Sequence, residues 1–380
     1  MRSALFICGV IAAVACGPID QSGGSPSVGS DGGTSSPAGG SDGGTVAAPG
    51  GGSSDGGTAT AAACDGVAPA SLAAPQTATV AHKNGDVCQF FTSDRAGDVA
   101  AESHHGNSAF NWQIWSAAGA AQGSFTGVAG DVFGQDTGFE SIQHANANSL
   151  IFFDANGHAV RSTPLDQGGC TSVAFPSAVS GSVVVDNCGG TVTLTRFDAQ
   201  ANTSASTRVG AVPNVTAVVD AKGQTLVVVS PGSAVGVSSG LAARWFDAQL
   251  APLTPFFAAP GGGGAVALRP LASGGAALQV GGAWVGTSQS GAASFDAAPD
   301  WLTSHANYDL QVIRGGSGYA LIPRAGAAPH DALDFVAATG ESCGRVTFPT
   351  AGLSIGPDGT VIGSSGPDGC SMSWWPGLLK

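Results

Sequence analysis

The sequence contains few of the charged residues that usually cover helices. Charged residues make up 10% of the 380 positions, and Glu and Lys occur three times each, whereas Gly occurs 60 times. A solvent-facing helix normally uses Glu and Lys, which favour the helix and pair across one turn. The shortage of both therefore favours an all-β fold.

Basic residues are also scarce. Lys and Arg total 13 against 26 Asp and Glu, which gives a formal net charge of −13. Attraction to nucleic-acid phosphates or to anionic lipid headgroups needs the opposite balance. We therefore expect no nucleic-acid partner and no electrostatic contact with a lipid surface.

The first fifteen residues have the pattern of an export signal, with Arg2 as the only basic residue and an apolar run over 4–14. Such a segment is removed on export and is too short to remain as a membrane-spanning helix. The run Ala-Val-Ala-Cys that ends at Cys16 resembles the bacterial lipobox, in which the cysteine is lipidated and becomes the mature N-terminus. The motif prefers Leu where this chain has Ala13. The same residues also satisfy the A-x-A rule for ordinary secretion, which would release a soluble protein.

Cysteine parity favours lipidation. The chain has eight cysteines, of which Cys8 leaves with the signal. If Cys16 carries lipid, six remain, an even number that suits disulfides in an oxidising compartment. Ordinary cleavage would leave seven. We predict a signal peptide over 1–15 and a lipid anchor at Cys16.

Residues 16–63 consist mainly of Gly, Ser, Pro, Thr and Asp and contain no aromatic residue, Lys or Arg. This composition cannot bury enough apolar surface to offset the entropy lost on ordering, so we expect a flexible linker. The pentapeptide Ser-Asp-Gly-Gly-Thr begins at Ser30, Ser41 and Ser54. The lipobox, the Cys-Gly-Pro that follows and these repeats resemble the surface lipoproteins of myxobacteria and their relatives. That resemblance implies attachment to the outer membrane or cell surface, with the periplasmic face as the alternative, and implies no chemistry.

The remaining residues, 64–380, contain an internal repeat. The tripeptide Phe-Asp-Ala begins at Phe153, Phe197, Phe246 and Phe295, at spacings of 44, 49 and 49 residues. Weaker members extend this series of anchors in both directions, at Trp115, Phe335 and Trp375. We expect each anchor to end a strand, and the Asp that follows to start a turn by hydrogen-bonding its own backbone.

A period of 40–50 residues is typical of β-propellers and of helical HEAT-type repeats, and the composition disfavours helices. Seven anchors predict a β-propeller-like domain of seven blades, each made of short antiparallel strands. The repeats lack the motifs of WD40, kelch and integrin-type blades. Six blades, or a pair of β-sandwiches, remain open because the spacing drifts.

The six cysteines of this domain fall into sequence neighbours: Cys64 with Cys88, Cys170 with Cys188, and Cys343 with Cys370. Cys170 and Cys343 share the context Cys-x-x-Val-x-Phe-Pro, and the second member of each pair opens a strand. We therefore favour three disulfides within blades among the possible pairings. A zinc site is disfavoured because the sequence has no C-x-x-C pair and no nearby Cys/His set.

Two short motifs suggest chemistry. Gly236–Gly240 matches the G-x-S-x-G nucleophile elbow, but that motif works where a strand turns into a helix, and no helical pattern flanks it here. Glu102, His104 and His105 form the one local cluster of metal-capable side chains, yet adjacent strand residues point to opposite faces. We expect no catalytic residue, metal or cofactor at either place.

Three of the seven Trp residues lie off the anchor series and are candidates for exposed ligand contacts such as sugar stacking: Trp112, Trp284 and Trp301. Packing in the core or between blades is the alternative. The sequence as a whole predicts a binding or scaffold module for an unknown protein or glycan, bound in the axial depression of the propeller. The alternative function is a tethered glycan-acting hydrolase or lyase, which would need facing carboxylates.

Overall fold

The computed structural model describes residues 63–379, with short gaps at 106–109, 128–131, 145–146, 166–168, 178, 213, 231–235, 237–239, 262–265, 282, 288–290, 314–315, 325–329 and 367. The predicted signal peptide, Cys16 and all but the last residue of the predicted linker lie outside the described residues, as does Ser238 of the G-x-S-x-G motif.

The 28 strands in the described part of the chain form seven antiparallel sheets of four strands. We number these sheets as blades 1 to 7 in chain order. Blade 1 comprises β2 (Phe91–Ser93), β3 (Val99–Ser103), β4 (Phe110–Trp115) and β5 (Ala121–Gly127). Blade 2 comprises β6 (Val132–Gly134), β7 (Phe139–Gln143), β8 (Ser149–Phe153) and β9 (Ala159–Pro164). Blade 3 comprises β10 (Thr171–Pro176), β11 (Ser182–Cys188), β12 (Thr191–Phe197) and β13 (Thr203–Ala211).

The other four blades follow the same plan, except that blade 7 takes its fourth strand from the start of the domain. Blade 4 comprises β14 (Val215–Val219), β15 (Thr225–Val229), β16 (Leu241–Phe246) and β17 (Phe257–Ala259), and blade 5 comprises β18 (Val266–Pro270), β19 (Ala276–Val280), β20 (Ala283–Gly286) and β21 (Asp296–Ala297). Blade 6 comprises β22 (Tyr308–Val312), β23 (Gly318–Pro323), β24 (Ala332–Ala337) and β25 (Ser342–Thr347). Blade 7 comprises β26 (Ala351–Ile355), β27 (Val361–Ser365), β28 (Ser371–Trp375) and β1 (Gln76–Thr79). A single turn of helix, α1 (Asp300–Thr303), connects blades 5 and 6.

The first strands of neighbouring blades contact one another around a common axis. Strand β2 contacts both β6 and β26, and β14 contacts both β10 and β18, which in turn contacts β22. Because β26 belongs to blade 7 and β2 to blade 1, the ring is closed. The chain is therefore a seven-bladed β-propeller, as the sequence predicts, and the six-bladed and sandwich alternatives are excluded.

The repeated anchors occupy equivalent positions in most blades. Trp115, Phe153 and Phe197 each end the third strand of a blade and pair across a register shift with the first residue of the fourth. Phe246 also ends the third strand of its blade, but it forms an isolated bridge with Pro252, which precedes the fourth strand. Blade 6 uses Val336 rather than the predicted Phe335. Phe295 is the exception, because it precedes the fourth strand of blade 5 and packs against Phe257.

The predicted turns after the anchors are also present. The Oδ1 atoms of Asp154, Asp198 and Asp247 each accept hydrogen bonds from the backbone N–H groups two and four residues later, at 2.8–2.9 Å. These carboxylates satisfy turn donors that strand pairing leaves free. The Asp of these three tripeptides therefore has a structural role.

The disulfides are only partly those expected. Cys170 and Cys188 are bonded within blade 3, as predicted. The other two local pairings are wrong, because Cys64 bonds Cys343 and Cys88 bonds Cys370. Ring closure is the physical reason: it brings the segments around β1 beside blades 6 and 7, so that cysteines about 280 residues apart meet.

Candidate functional site

A groove runs along the outer two strands of blade 1. Its volume is about 650 Å³. Its lining consists of backbone and side chains from β4 and β5, together with Ala81, which follows β1. None of the described lining residues is charged: Ala81, Asn111, Gln113, Ile114, Trp115, Ala121, Gln122, Gly123, Ser124, Phe125 and Thr126. We call this feature the blade 1 groove.

The blade 1 groove lies on the face of blade 1 that is turned toward blade 7. Trp115 on this face packs with Ile362 and Trp374 of blade 7. The Gln113 side chain accepts a hydrogen bond from Ala81 N at 2.9 Å and donates one to Ala81 O at 2.7 Å. This pair of bonds joins blade 1 to the segment that follows β1 and fixes the amide of Gln113.

The two faces of blade 1 differ in chemistry because strand side chains alternate between faces. On the face toward blade 2, Trp112 stacks on Phe125 with ring centroids 6.1 Å apart, and Phe125 stacks on Phe153 at 4.2 Å. On the face toward blade 7, the outer positions are polar, and Asn111, Ser124 and Thr126 are exposed. The apolar face is packed and the polar face stays open.

A second groove, of about 400 Å³, lies on blade 7. It too has no charged residue among its described lining residues: Thr77, Ala78, Thr79, Ser365, Ser371, Met372 and Ser373. Thr77 lies opposite Ser373 and Thr79 lies opposite Ser371 in the sheet. Hydroxyl groups therefore dominate this second surface.

A polar network joins the turns between the first and second strands of blades 1, 2 and 3. Arg95 N donates to Gln135 O at 2.7 Å, and the Arg95 guanidinium donates to Ser177 O at 2.7 Å. Arg95 also lies 3.5 Å from the carboxylate of Asp136. Gln135 in turn accepts a bond from Gly181 N at 3.0 Å. One arginine thus links three consecutive blades.

Glu140 is the buried acid of this network. Its Oε2 accepts hydrogen bonds from Gln135 and Ser182, both at 2.9 Å, while its Oε1 has no partner among the described residues. Burial raises the pKa of Glu140 to about 8 against the two hydrogen bonds, which lower it. Burial similarly raises the pKa of Asp94 to about 7. Burial therefore favours the protonated form of both carboxyl groups.

Glu102 and His104 form a buried pair at the end of β3 that lies away from the Asp94 turn. Nδ1 of His104 bonds Oε1 of Glu102, and burial raises the pKa of Glu102. His105 points elsewhere, toward Gly85 and Asp86, with its side chain 70% exposed. The two histidines therefore do not share a metal site in the described structure.

For two of the three candidate Trp residues, the predicted exposure is wrong. Trp112 and Trp284 are 1% and 4% exposed, because each lies on the strand face that packs against the next blade. Trp301, in α1, is half-buried and stacks on Tyr319 with ring centroids 4.6 Å apart. Its role as a ligand contact stays a prediction.

Two of the described acids are held by arginine side chains. Asp334 is held by two hydrogen bonds from Arg345, and Asp309 accepts bonds from both Arg269 and Arg324.

Within the described residues, no helix is both long and apolar enough to cross a bilayer.

Comparison with known proteins identifies no family for this chain. No family model matches the sequence, and no curated protein matches it. One similar solved structure is the Dos1 propeller, with 8% identity and a TM-score of 0.48, covering 83% of this chain and 96% of the other. A second is a chain of the Mitotic Checkpoint Complex, with 11% identity and a TM-score of 0.48, covering 82% of this chain and 92% of the other. A third is the C-terminal WD40 domain of Sif2, with 8% identity and a TM-score of 0.41, covering 78% of this chain and 82% of the other. The assignment of the fold rests on the strand pairing described above. The class of protein is thus a seven-bladed propeller with three disulfides among its described residues.

Proposed function

We propose that this protein is an exported binding module, held at the bacterial envelope by lipid on Cys16, and that it binds a neutral glycan in the blade 1 groove. The disulfides support an oxidising compartment outside the cytoplasm. The propeller supports a binding or scaffold role, because a closed ring of sheets presents rigid surfaces. The uncharged groove is the observation that carries the proposal.

The chemistry of the groove fits hydroxyl groups. The side chains of Asn111, Gln122, Ser124 and Thr126 are exposed and offer both donors and acceptors without charge. A neutral sugar presents the same mixture of donors and acceptors. An anionic ligand would find no cation among the described lining residues and would meet a chain of net charge −13.

The hydrolase alternative has less support. The buried acids of blades 1 and 2, Asp94, Glu102 and Glu140, have different partners, and none of them lines the blade 1 groove. A retaining or inverting glycosidase needs two carboxyl groups roughly 5–9 Å apart across one sugar. The geometry of the groove supports binding without cleavage.

A panel of immobilised ligands tests the proposal. The purified protein should bind one or more neutral polysaccharides from a bacterial envelope and should leave their reducing ends unchanged after long incubation. Binding only to polyanions or only to peptides would contradict the glycan assignment. Release of new reducing ends would instead support the hydrolase.

A further inference from the structure

Two arginines and one aspartate meet between blades 5 and 6, near the axis of the ring. Arg269 lies on β18 and Asp309 lies on β22, which are the first strands of these blades and contact each other. Arg324 directly follows β23. Oδ1 of Asp309 accepts a hydrogen bond from Nη2 of each arginine, both at 2.7 Å. The two guanidinium groups therefore lie side by side on one carboxylate oxygen.

The charges of this cluster do not balance. Asp309 supplies one negative charge, whereas Arg269 and Arg324 supply two positive charges, because a guanidinium group stays protonated in proteins. A further ion pair in blade 6, Arg345 with Asp334, has one charge of each sign. A second guanidinium adds a cost of desolvation without a second carboxylate to offset it. The cluster therefore carries an excess of positive charge that an ion pair between the blades does not require.

Both guanidinium groups are fixed in place and still have unused donors. Nη1 of Arg269 donates to Leu268 O at 2.8 Å, and Nη1 of Arg324 donates to Oε1 of Gln279 at 2.6 Å. The described hydrogen bonds thus use two of the five N–H groups of each guanidinium. The side chains of Arg269 and Arg324 are 16% and 30% exposed. An anion from solvent can therefore reach donors whose positions are already set.

Asp309 is also incompletely bonded. Its side chain is 6% exposed, and Oδ2 is buried without a hydrogen-bond partner among the described residues. Buried polar atoms normally have a partner, either in the protein or in an ordered water or ligand. The described residues therefore do not complete this cluster by themselves.

We propose that Arg269 and Arg324 together bind a small oxyanion, the carboxylate or phosphate group of a ligand, near the axis between blades 5 and 6. Guanidinium groups hold such oxyanions through short, charge-assisted hydrogen bonds, often in pairs. The chain has a net charge of −13, but exposed charges farther away than roughly 8 Å are largely screened at physiological ionic strength. The site belongs to blades 5 and 6, so it is separate from the blade 1 groove and binds a different ligand.

Titration calorimetry of the purified protein with inorganic phosphate and, separately, with succinate tests this site at constant ionic strength in chloride. The wild type should bind at least one of the two anions. Binding of phosphate alone identifies a phosphate group, and binding of succinate alone identifies a carboxylate. Arg269→Gln and Arg324→Gln should each lower the affinity at least ten-fold. The proposal is overturned if the wild type binds neither anion, or if both variants bind it as the wild type does.

Asp309→Asn distinguishes a binding site from a purely structural ion cluster. This substitution removes the carboxylate that competes for the two guanidinium groups, so the anion should bind at least three-fold more tightly. A cluster that only holds the blades together would gain no affinity, which would contradict the proposal. The matched control is Arg345→Gln, which removes one guanidinium from blade 6 and should leave the affinity unchanged. Circular dichroism of each variant establishes that the β signal is retained.

Discussion

Gln76, the first residue of β1, lies directly opposite Trp374, near the end of β28. The two residues are nearly the whole domain apart in sequence, and their pairing completes blade 7. Trp374 is fully buried between blades 7 and 1. The strand that closes the ring is thus fixed by sheet pairing, by the packing of blade 1 and by the two long-range disulfides beside it.

The two closure disulfides should stabilise the fold non-additively. With the Cys64–Cys343 bridge present, the Cys88–Cys370 bridge closes a loop on the order of 50 residues rather than the whole ring. In the loop-entropy model, closing that loop stabilises the fold by about 4 kcal/mol. The same holds for Cys64–Cys343 when the other bridge is present. Replacing both pairs by Ala should lower the free energy of unfolding by more than the sum of the two separate losses.

Urea unfolding of the wild type, the two single-bridge variants and the variant without both bridges measures this. Loss of Cys170–Cys188, which spans 18 residues, should cost about 3 kcal/mol and add independently. Equal and additive losses of unfolding free energy for all three bridges would contradict the view that Cys64–Cys343 and Cys88–Cys370 together close the ring.

Glu140 should make the protein less stable as the pH rises. Its pKa is about 8 in the folded protein against an ordinary value of 4.5. Between these values the folded state holds a proton that the unfolded state has lost, so the unfolding free energy falls with increasing pH, by up to about 1.4 kcal/mol per unit. Below pH 4.5 the contribution is fully present, and above pH 8 it is lost.

Glu140→Gln keeps the shape and removes the titration. Its unfolding free energy should vary less between pH 5 and 8 than that of the wild type, measured by urea unfolding at several pH values. Asp94 and Glu102 titrate in both proteins, so the difference between the two curves reports Glu140 alone. Parallel curves would show that Glu140 does not hold its proton in this range.

Gly134 should not tolerate a side chain. A Cβ atom at this position would lie 1.8 Å from the backbone oxygen of Ser93 in the neighbouring blade. Gly134→Ala should therefore lower the unfolding free energy by about 1–3 kcal/mol, as overpacking generally does. Gly286 ends a strand in the same way but has no atom within 3.7 Å of its would-be Cβ. Gly286→Ala is the control and should be nearly neutral in thermal unfolding.

The repeat and its turns could be predicted from the sequence because they depend on local pattern. An aromatic residue at the end of a strand, followed by Asp, produces the same turn in blades 2, 3 and 4 and the same bulge in blades 2 and 3. Blade 6 keeps the geometry with Val336, since burial rather than an aromatic ring is what the position requires.

The features that depend on ring closure could not be predicted in this way. Sequence proximity suggested Cys64 with Cys88, but their true partners lie in blades 6 and 7. The burial of Trp112 depends on which face of blade 1 meets blade 2, and strand alternation alone does not give that choice. The blade 1 groove exists for the same reason, because the polar face of that blade is the one turned toward blade 7.

The predicted lipid anchor has a direct test in cells. Cys16→Ala should move the protein from the detergent phase of a membrane extract to the aqueous phase, and mass spectrometry of the wild type should find an acyl group on Cys16. A wild-type protein that begins at Cys16 without an acyl mass, and that stays in the aqueous phase, would show ordinary secretion instead.

The central claim is that a neutral polysaccharide binds in the blade 1 groove. It is tested most directly by a variant that blocks the groove, using the neutral polysaccharide that the protein binds in the ligand panel. Ser124 lies opposite Gln113 in the blade 1 groove, and Ser206 lies opposite Thr195 at the equivalent exposed place in blade 3. Titration calorimetry should show that Ser124→Trp lowers the affinity at least ten-fold, whereas Ser206→Trp binds as the wild type does. Equal affinity for all three proteins would place the ligand elsewhere on the propeller and contradict the assignment of the groove.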